Sequence, residues 1–273
     1  LSDFENSLKN LCEYLSKYHQ SHPVVLIDEY DMPIQASYTY NYYSQMIEFI
    51  RNLLSGCLKD NVYLEKAVLT GILRVAKESI FSGLNNIKVL SMLANRSADK
   101  FGFTEKEVEQ CLTDFGLSGR LDEVKKWYDG YNFGRNVEIY NPWSILNFVD
   151  ENEFKPYWVN TSGNELIKTL LQKSGDMVKQ DLETLIADGA IGKTIEDNIV
   201  YADVDTSEEA LWSFLLMSGY LRFDDLVFDE NGYRAKLRIP NKEVSYLFKN
   251  EIIRKWFSSI STHRNLATIL DNL

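Results

Sequence analysis

The sequence has few cysteines and histidines, and their positions exclude several classes of protein. The 273 residues hold three of each: Cys12, Cys57, Cys111, His19, His22 and His263. An odd number of distant cysteines without a CxxC pair argues against a disulfide framework or a zinc site, and favours reduced, mostly buried thiols. The histidines have no metal-ligand spacing, and they are too scattered to support a Ser-His-Asp arrangement.

The sequence also lacks a long apolar run and an excess of basic residues. No run approaches the roughly 20 residues of a membrane span, and no signal peptide opens the chain. We therefore expect a cytoplasmic protein without a membrane partner. Lys and Arg number 29 against 40 Asp and Glu, a formal net charge of −11, which argues against nucleic acid as a partner. Because the first residue is Leu1 and not Met, we expect a piece of a longer protein.

The segment PVVLIDEYDMPI, residues 23–34, carries the clearest functional signal. Four aliphatic residues, Val24 to Ile27, predict a fully buried strand, and Asp28 and Glu29 follow directly. In nucleotide hydrolases such an Asp holds Mg²⁺, and the Glu beside it orients and deprotonates the attacking water. The segment therefore fits a Walker B strand. The alternative is that these acids are solvated residues at the end of an ordinary strand.

The order of the neighbouring segments indicates an α/β fold. We expect helices over residues 4–18 and 43–59, separated by the strand and a Tyr-rich loop, and further buried apolar runs at 67–69 and 87–93. Strands that alternate with helices are typical of a parallel sheet with covering helices. Residues 1–100 are thus predicted to form part of a P-loop-type core.

The remainder of the chain predicts two different regions. Residues 101–205 indicate a mainly helical lid region, in which the one strong strand lies near Val137 to Tyr140. Residues 206–273 predict a small winged-helix-like α+β unit, because Asn231-Gly232 between alternating apolar runs is a strong hairpin signal.

Local sequence also predicts where two helices begin and what one aromatic segment does. Thr104 and Glu107 form a capping box, and Asn141 before Pro142 predicts an N-cap followed by proline in the first turn. The segment YDGYNFG, residues 128–134, combines tight-turn signals with three aromatic residues. We interpret these rings as packing residues, with stacking on a base as the alternative.

Seven blocks in one order resemble the bacterial AAA-ATPase-like family. They are LIDEYDMPI (26–34), LTGILRVAKESIFSGLNNI (69–87), FGFTEKEV (101–108), WYDGYNFG (127–134), IYNPWSIL (139–146), YWVNTSGNELI (157–167) and LRIPNKEV (237–244). The resemblance implies a P-loop ATPase core, a helical lid and, in many members, a following PD-(D/E)XK nuclease-like domain. The family's phosphate-binding loop precedes the stretch that begins here, so the chain looks like a fragment without it.

The resemblance implies roles for four residues. Asp28 is expected to bind Mg²⁺ and Glu29 to be the catalytic base, while Thr70 senses the γ-phosphate and Arg74 reaches phosphate or a neighbouring subunit. The alternatives are a hydrogen-bonded strand end for Thr70 and a surface salt bridge for Arg74. ATP and Mg²⁺ are the expected cofactors, with hydrolysis only in the full-length protein. Asp31 and Pro33 of the same block are expected to shape the loop.

Two other motifs are interpreted as structural. ADGAIGKT, residues 187–194, fits a relaxed phosphate-loop pattern, but a helical segment precedes it. We interpret it as a helix C-cap at Gly189 and a Gly-Lys turn, followed by extended chain. Glu123 and Lys125 have the spacing of a nuclease motif but lie in a predicted helix.

A second hypothesis for the function stays open. The absent phosphate loop and the aromatic-rich region permit a non-catalytic protein-interaction or regulatory module. Its partner would be a neighbouring nuclease-like domain or another protein.

Overall fold

The structure is a computed structural model that describes residues 2–72, 87–135, 137–158, 167, 169–171, 174–204 and 206–253. These residues form a mixed α/β protein with small sheets. The chain divides into two compact units, one formed by Leu1–Val89 with Glu196–Phe214 and the other by Leu90–Ile195 with Leu215–Leu273. The sequence-based division at residues 100 and 205 stays a prediction. Within the described part of the chain, no helix is both long and apolar enough to cross a membrane.

The elements follow one another along the chain in this order. The first are α1 (Ser2–Glu5), α2 (Ser7–His19), β1 (Val24–Ile27), α3 (Met32–Thr39), α4 (Tyr43–Leu58) and β2 (Lys66–Leu69). Next come α5 (Glu105–Asp114), a 3-10 turn (Ser118–Arg120), α6 (Leu121–Tyr128), β3 (Tyr131–Phe133), β4 (Val137–Ile139), α7 (Pro142–Glu151) and α8 (Asp176–Ile186). The last are β5 (Ile191–Ile195), α9 (Tyr201–Val204), α10 (Glu208–Met217), β6 (Arg222–Asp229), β7 (Gly232–Arg238), α11 (Lys242–Leu247) and a π-helical turn (Phe248–Ile253).

In the first unit, β1 and β2 pair in parallel, with Val24 opposite Lys66 and Ile27 opposite Leu69. The prediction of a fully buried β1 is wrong, because Val24 is 54% exposed and Leu26 is 74% exposed. Along β1 these exposed side chains alternate with the half-buried Val25 and Ile27. Within the described part of the chain, one face of the strand is therefore partly covered and the other is exposed.

The predicted Tyr-rich loop is also wrong, since α3 occupies this segment. Pro33 lies in the first turn of α3, where its fixed φ suits a helix and its missing N–H removes no hydrogen bond. The carbonyl of Asp31 accepts hydrogen bonds from Ile34 N at 3.1 Å and Gln35 N at 2.9 Å. Ile34 is completely buried, so α3 contributes to the core of this unit.

The apolar run at residues 87–93 forms neither a helix nor a strand. Val89 and Leu90 are 39% and 42% exposed, and Leu93 is buried. The Met92 carbonyl accepts a hydrogen bond from Gly134 N at 2.8 Å, but among the described residues this contact does not extend into a strand ladder. The prediction of a further buried run is therefore wrong for most of this segment.

In the second unit, helices α5, α6 and α7 pack around a shared core. Fully buried members of this core include Val108, Leu112, Val124, Tyr128 and Phe148. The antiparallel β3–β4 hairpin follows α6, and Phe103 bridges to Tyr140. The predicted strand near 137–140 is confirmed, and β3 is an additional strand that the sequence did not predict.

A three-stranded antiparallel sheet in the order β5–β7–β6 completes the second unit. The predicted hairpin is confirmed, with Asp229 opposite Gly232 across its turn. Gly192 and Lys193 lie inside β5, so the predicted Gly-Lys turn is wrong, and extended chain begins earlier than expected.

Candidate functional site

The parallel pairing of β1 and β2 brings three of the predicted site residues together. Both strands end at the same edge, where Asp28 and Glu29 follow β1 and Thr70 follows β2. The Thr70 hydroxyl donates a hydrogen bond to Asp28 Oδ1, and Thr70 Oγ1 accepts one from Glu29 N at 3.2 Å. Thr70 N donates to the Ile27 carbonyl, and Tyr30 N donates to the Thr70 carbonyl, both at 2.9 Å. Thr70 thus connects the two strand ends through side chain and backbone.

Glu29 has an unusual backbone conformation at this edge. Its φ of +51° lies in the left-handed region, which glutamate seldom adopts. This conformation accompanies hydrogen bonds from Glu29 N to Asp28 Oδ1, at 3.1 Å, and to Thr70. The side chains of Asp28 and Glu29 are exposed and accessible to a ligand. Backbone strain of this kind is found preferentially at functional sites.

The buried carboxylate of this region belongs to Asp31, which is 1% exposed. Its Oδ2 accepts hydrogen bonds from Ile72 N at 3.1 Å and from the Tyr201 hydroxyl at 3.4 Å. A Cβ added to Gly71 would lie 2.6 Å from Asp31 Oδ1, so the chain after β2 passes close to this carboxylate. The expectation that Asp31 shapes the chain locally is thus too narrow, since it also binds the strand end and a distant tyrosine.

Tyr201 is the residue of this region that the sequence did not point to. It lies 170 positions after Asp31, in the segment that returns to the first unit, and is 2% exposed. Its ring stacks on Tyr38 at 6.4 Å and meets Phe214 edge-on at 6.2 Å. Burial, followed by the charge of Asp31, raises the pKa of Tyr201, so its hydroxyl stays protonated and remains a donor. No local pattern around Tyr201 could have predicted this contact.

The metal expected from the resemblance can be tested against these residues. A Mg²⁺ ion commonly takes one or two carboxylates from the protein and completes its shell with phosphate oxygens and water. Asp28 at the exposed strand edge fits this requirement. Among the described residues, no group of three or more His, Cys, Asp or Glu residues could hold a metal ion by itself.

The other predicted residues and motifs lie elsewhere. Arg74 falls outside the described residues. Lys193 lies in the second unit, where Lys193 Nζ pairs with Asp181 Oδ2 at 2.6 Å. A cavity of about 330 Å³ lies along α4, lined by Tyr43, Ser44, Ile47, Glu48 and Arg51.

The YDGYNFG segment is a packing centre of the second unit. Tyr128 is completely buried, and its hydroxyl donates to the Lys155 carbonyl at 3.0 Å. Asn132 Nδ2 donates to the Phe223 carbonyl at 2.7 Å. A Cβ on Gly130 would lie 2.3 Å from the Pro240 carbonyl oxygen, and its φ of +107° also requires glycine. These contacts support packing rather than base stacking.

Comparison with known proteins places a family match over the candidate site. Residues 1–81, which include Asp28, Glu29 and Thr70, match the model of the AAA-ATPase-like family, described as "Predicted AAA-ATPase". The chain is also similar to an uncharacterised protein encoded in the vnfD 5' region of Azotobacter chroococcum, with 31% identity over 234 residues. This match covers 85% of the chain and 43% of the relative, so the chain spans less than half of the relative's length. No solved structure matches the chain.

Proposed function

We propose that this chain contains the Walker B part of an AAA-ATPase-like nucleotide hydrolase. The observation that carries this proposal is the convergence of Asp28, Glu29 and Thr70 at the carboxyl edge of a parallel strand pair. In open α/β sheets, ligands bind at this edge. The family match over residues 1–81 supports the same function.

Each residue has a definite role in the proposed reaction. Asp28 holds Mg²⁺, which when bound polarises the phosphoryl oxygens of ATP. Glu29 orients the attacking water and accepts its proton, and its exposed carboxylate is accessible for this purpose. The Thr70 hydroxyl, which donates to Asp28 in this structure, would turn its hydrogen toward the γ-phosphate when nucleotide is bound. Arg74 is a second proposed phosphate contact or a finger toward a neighbouring subunit.

The proposal extends to the whole polypeptide. A P-loop strand and its phosphate-binding loop are proposed to lie before Leu1, and a nuclease-like domain is proposed as a neighbour. Residues 101–205 would form the lid, and the β6–β7 hairpin between α10 and α11 would form a winged-helix-like unit. A cytoplasmic location remains part of the proposal. The residues encoded before Leu1 provide a direct check, since a strand followed by GxxxxGK[ST] is expected there.

Replacement of Glu29 tests the catalytic role. In the complete natural polypeptide, Glu29→Gln keeps the shape of the side chain but removes the base, so we expect ATP turnover to fall at least about 100-fold. Binding of Mg²⁺-ATP, measured by calorimetry, should stay within about threefold because the phosphate contacts remain.

Glu65→Gln is the matched control for this test. Glu65 is an exposed glutamate that precedes β2, at the opposite end of the strand pair from Glu29. We expect this variant to retain the wild-type turnover. Equal rates for wild type and Glu29→Gln would remove Glu29 from the mechanism.

A non-catalytic interaction module is the second candidate function. Its support is that six large apolar side chains on β1, β2 and α2 of the first unit are exposed: Val24, Leu26, Val68, Leu11, Tyr14 and Tyr18. Where such side chains lie together, they form surfaces typical of protein contacts. Calorimetry of the complete polypeptide that detects no nucleotide binding, together with a defined protein complex, would favour this function. Tight binding of Mg²⁺-ATP would exclude it.

A further inference from the structure

The second segment of the first unit, Glu196–Phe214, forms a hydrogen bond to Asp31, which lies beside the candidate site. Tyr201, at the start of α9, donates its hydroxyl hydrogen bond to Asp31 Oδ2 at 3.4 Å. Both residues are buried, at 2% and 1% exposure, so bulk water cannot readily substitute for either partner. The O–O distance of 3.4 Å is long for a hydrogen bond, but burial of both groups lowers the local dielectric constant and strengthens the interaction.

Asp31 connects Tyr201 to the residues that follow β2. The oxygen that accepts from Tyr201 also accepts from Ile72 N at 3.1 Å. The other oxygen lies where a side chain on Gly71 would have to be, with 2.6 Å to a Cβ added there. Residues 71 and 72 are therefore held against Asp31, and Thr70 is the residue directly before them.

Thr70 in turn determines the geometry of both acids. Its hydroxyl donates to Asp28, its Oγ1 accepts from Glu29 N, and its carbonyl accepts from Tyr30 N. The left-handed backbone of Glu29, with a φ of +51°, occurs together with these contacts.

We propose that Tyr201 is a positioning residue of the nucleotide site, which acts through Asp31 to hold Thr70 beside Asp28 and Glu29. This inference rests on the proposed function and adds to it a residue that lies outside the sequence block of the motif. Tyr201 thereby adds a residue from the second segment of the first unit to the proposed site.

The proposal predicts an effect on turnover rather than on substrate binding. Tyr201 touches no reacting atom, but small displacements of catalytic groups reduce rates strongly. Without the hydroxyl we expect kcat to fall about 10-fold to 100-fold, while KM stays within about twofold because the contacts of the proposed phosphate-binding loop are unaffected.

Tyr201→Phe in the complete natural polypeptide is the test. The phenylalanine ring keeps the stacking on Tyr38 and the contact with Phe214, so only the hydrogen bond is removed. Kinetics with Mg²⁺-ATP give kcat and KM, and hydrogen exchange by NMR follows the Ile72 amide. We expect lower kcat together with faster exchange at Ile72.

Phe214→Leu is the matched control, because it disturbs the packing around Tyr201 but leaves the hydroxyl in place. It should lower the free energy of unfolding while kcat and the Ile72 exchange rate stay close to wild type. If Tyr201→Phe retains the kcat of an active wild type, the positioning role is overturned and the proposed function stands. If the wild type hydrolyses no ATP, the proposed function fails. In that case, an Ile72 exchange rate in Tyr201→Phe equal to that of the wild type would also refute the link through Asp31.

Discussion

At the scale of single residues, burial separates carboxylates that look alike in the sequence. Asp28 and Asp31 lie three positions apart in one motif, yet Asp28 is exposed and Asp31 is enclosed by hydrogen-bond donors. A third carboxylate, that of Asp129 in the second unit, is half-buried. Its burial, assisted by the negative charges of Glu138 and Glu105, raises its pKa to about 6 against the opposing effects of Gly130 N–H and Lys125.

Asp129 should make the stability of the protein depend on pH. Between about pH 4 and pH 6 the folded protein keeps a proton that the unfolded chain has released, so the free energy of unfolding falls as pH rises through this window and levels off above it. Asp129→Asn removes the ionisation and still suits a turn before Gly130. We expect this variant to be more stable than wild type at pH 7, by about 1–3 kcal/mol, and to have a flatter profile. Urea unfolding at several pH values measures both.

Glu138→Gln separates the contribution of the neighbouring charge from that of burial. Because Glu138 raises the pKa of Asp129, its neutralisation should move the upper limit of the sloping window to lower pH. An unchanged slope in Asp129→Asn would mean that another group titrates in this range.

At the scale of elements, short-range capping signals were reliable. The predicted capping box is confirmed, since Glu107 Oε2 accepts from Thr104 N at 2.8 Å and α5 begins at Glu105. Asn141 Oδ1 accepts from Trp143 N at 2.9 Å, with Pro142 as the first residue of α7. Such caps involve residues two or three positions apart, so local sequence contains all the information they need.

Removal of the Asn141 cap gives a prediction at this scale. Asn141→Ala leaves the Trp143 N–H without its side-chain acceptor, and we expect the free energy of unfolding to fall by about 1 kcal/mol. Chemical denaturation measures the change. Asp150→Ala, at an exposed position near the end of the same helix, should stay within about 0.5 kcal/mol of wild type. If Asp150→Ala lowered the free energy of unfolding as much as Asn141→Ala does, α7 would be sensitive to any substitution.

Other elements could not be inferred from local sequence. The Tyr-rich segment after the acids was expected to be a loop, but α3 forms there because Ile34 enters the core and the Asp31 carbonyl accepts its first hydrogen bonds. The apolar run at 87–93 was expected to be buried, but most of it finds no strand partner among the described residues. A tertiary contact decided the first segment and the lack of a strand partner among the described residues decided the second, so propensity alone determined neither.

At the scale of the whole molecule, the surroundings of a motif decide its role. The ADGAIGKT segment follows helix α8, whose end is closed by a hydrogen bond from Gly189 N to the Thr184 carbonyl at 2.8 Å. Asp188 adopts the left-handed conformation at this cap, with a φ of +57°. Lys193 then lies inside β5 and pairs with Asp181 of α8. A phosphate loop requires the opposite order, a strand before the loop and a helix after it.

Lys193→Ala should therefore affect stability and not nucleotide binding. We expect the affinity of the complete polypeptide for Mg²⁺-ATP, measured by calorimetry, to stay within about twofold of wild type. Loss of the partly buried ion pair should lower the free energy of unfolding by about 1 kcal/mol. The exposed Lys236 on the neighbouring strand is the control, and Lys236→Ala should have a smaller effect on stability. A large loss of affinity in Lys193→Ala would reverse the structural interpretation of this segment.

The sequence by itself determined the features that depend on neighbouring residues: the helix starts at Thr104 and Asn141, the β6–β7 hairpin, and the placement of two acids directly after an aliphatic strand. Only the tertiary structure decided that Thr70 meets Asp28, that β1 has an open face, and that Tyr201 donates to Asp31 from 170 positions away. The physical reason is the range of the interactions. Caps and turns are closed within a few residues, whereas strand pairing and burial depend on which distant segments pack together.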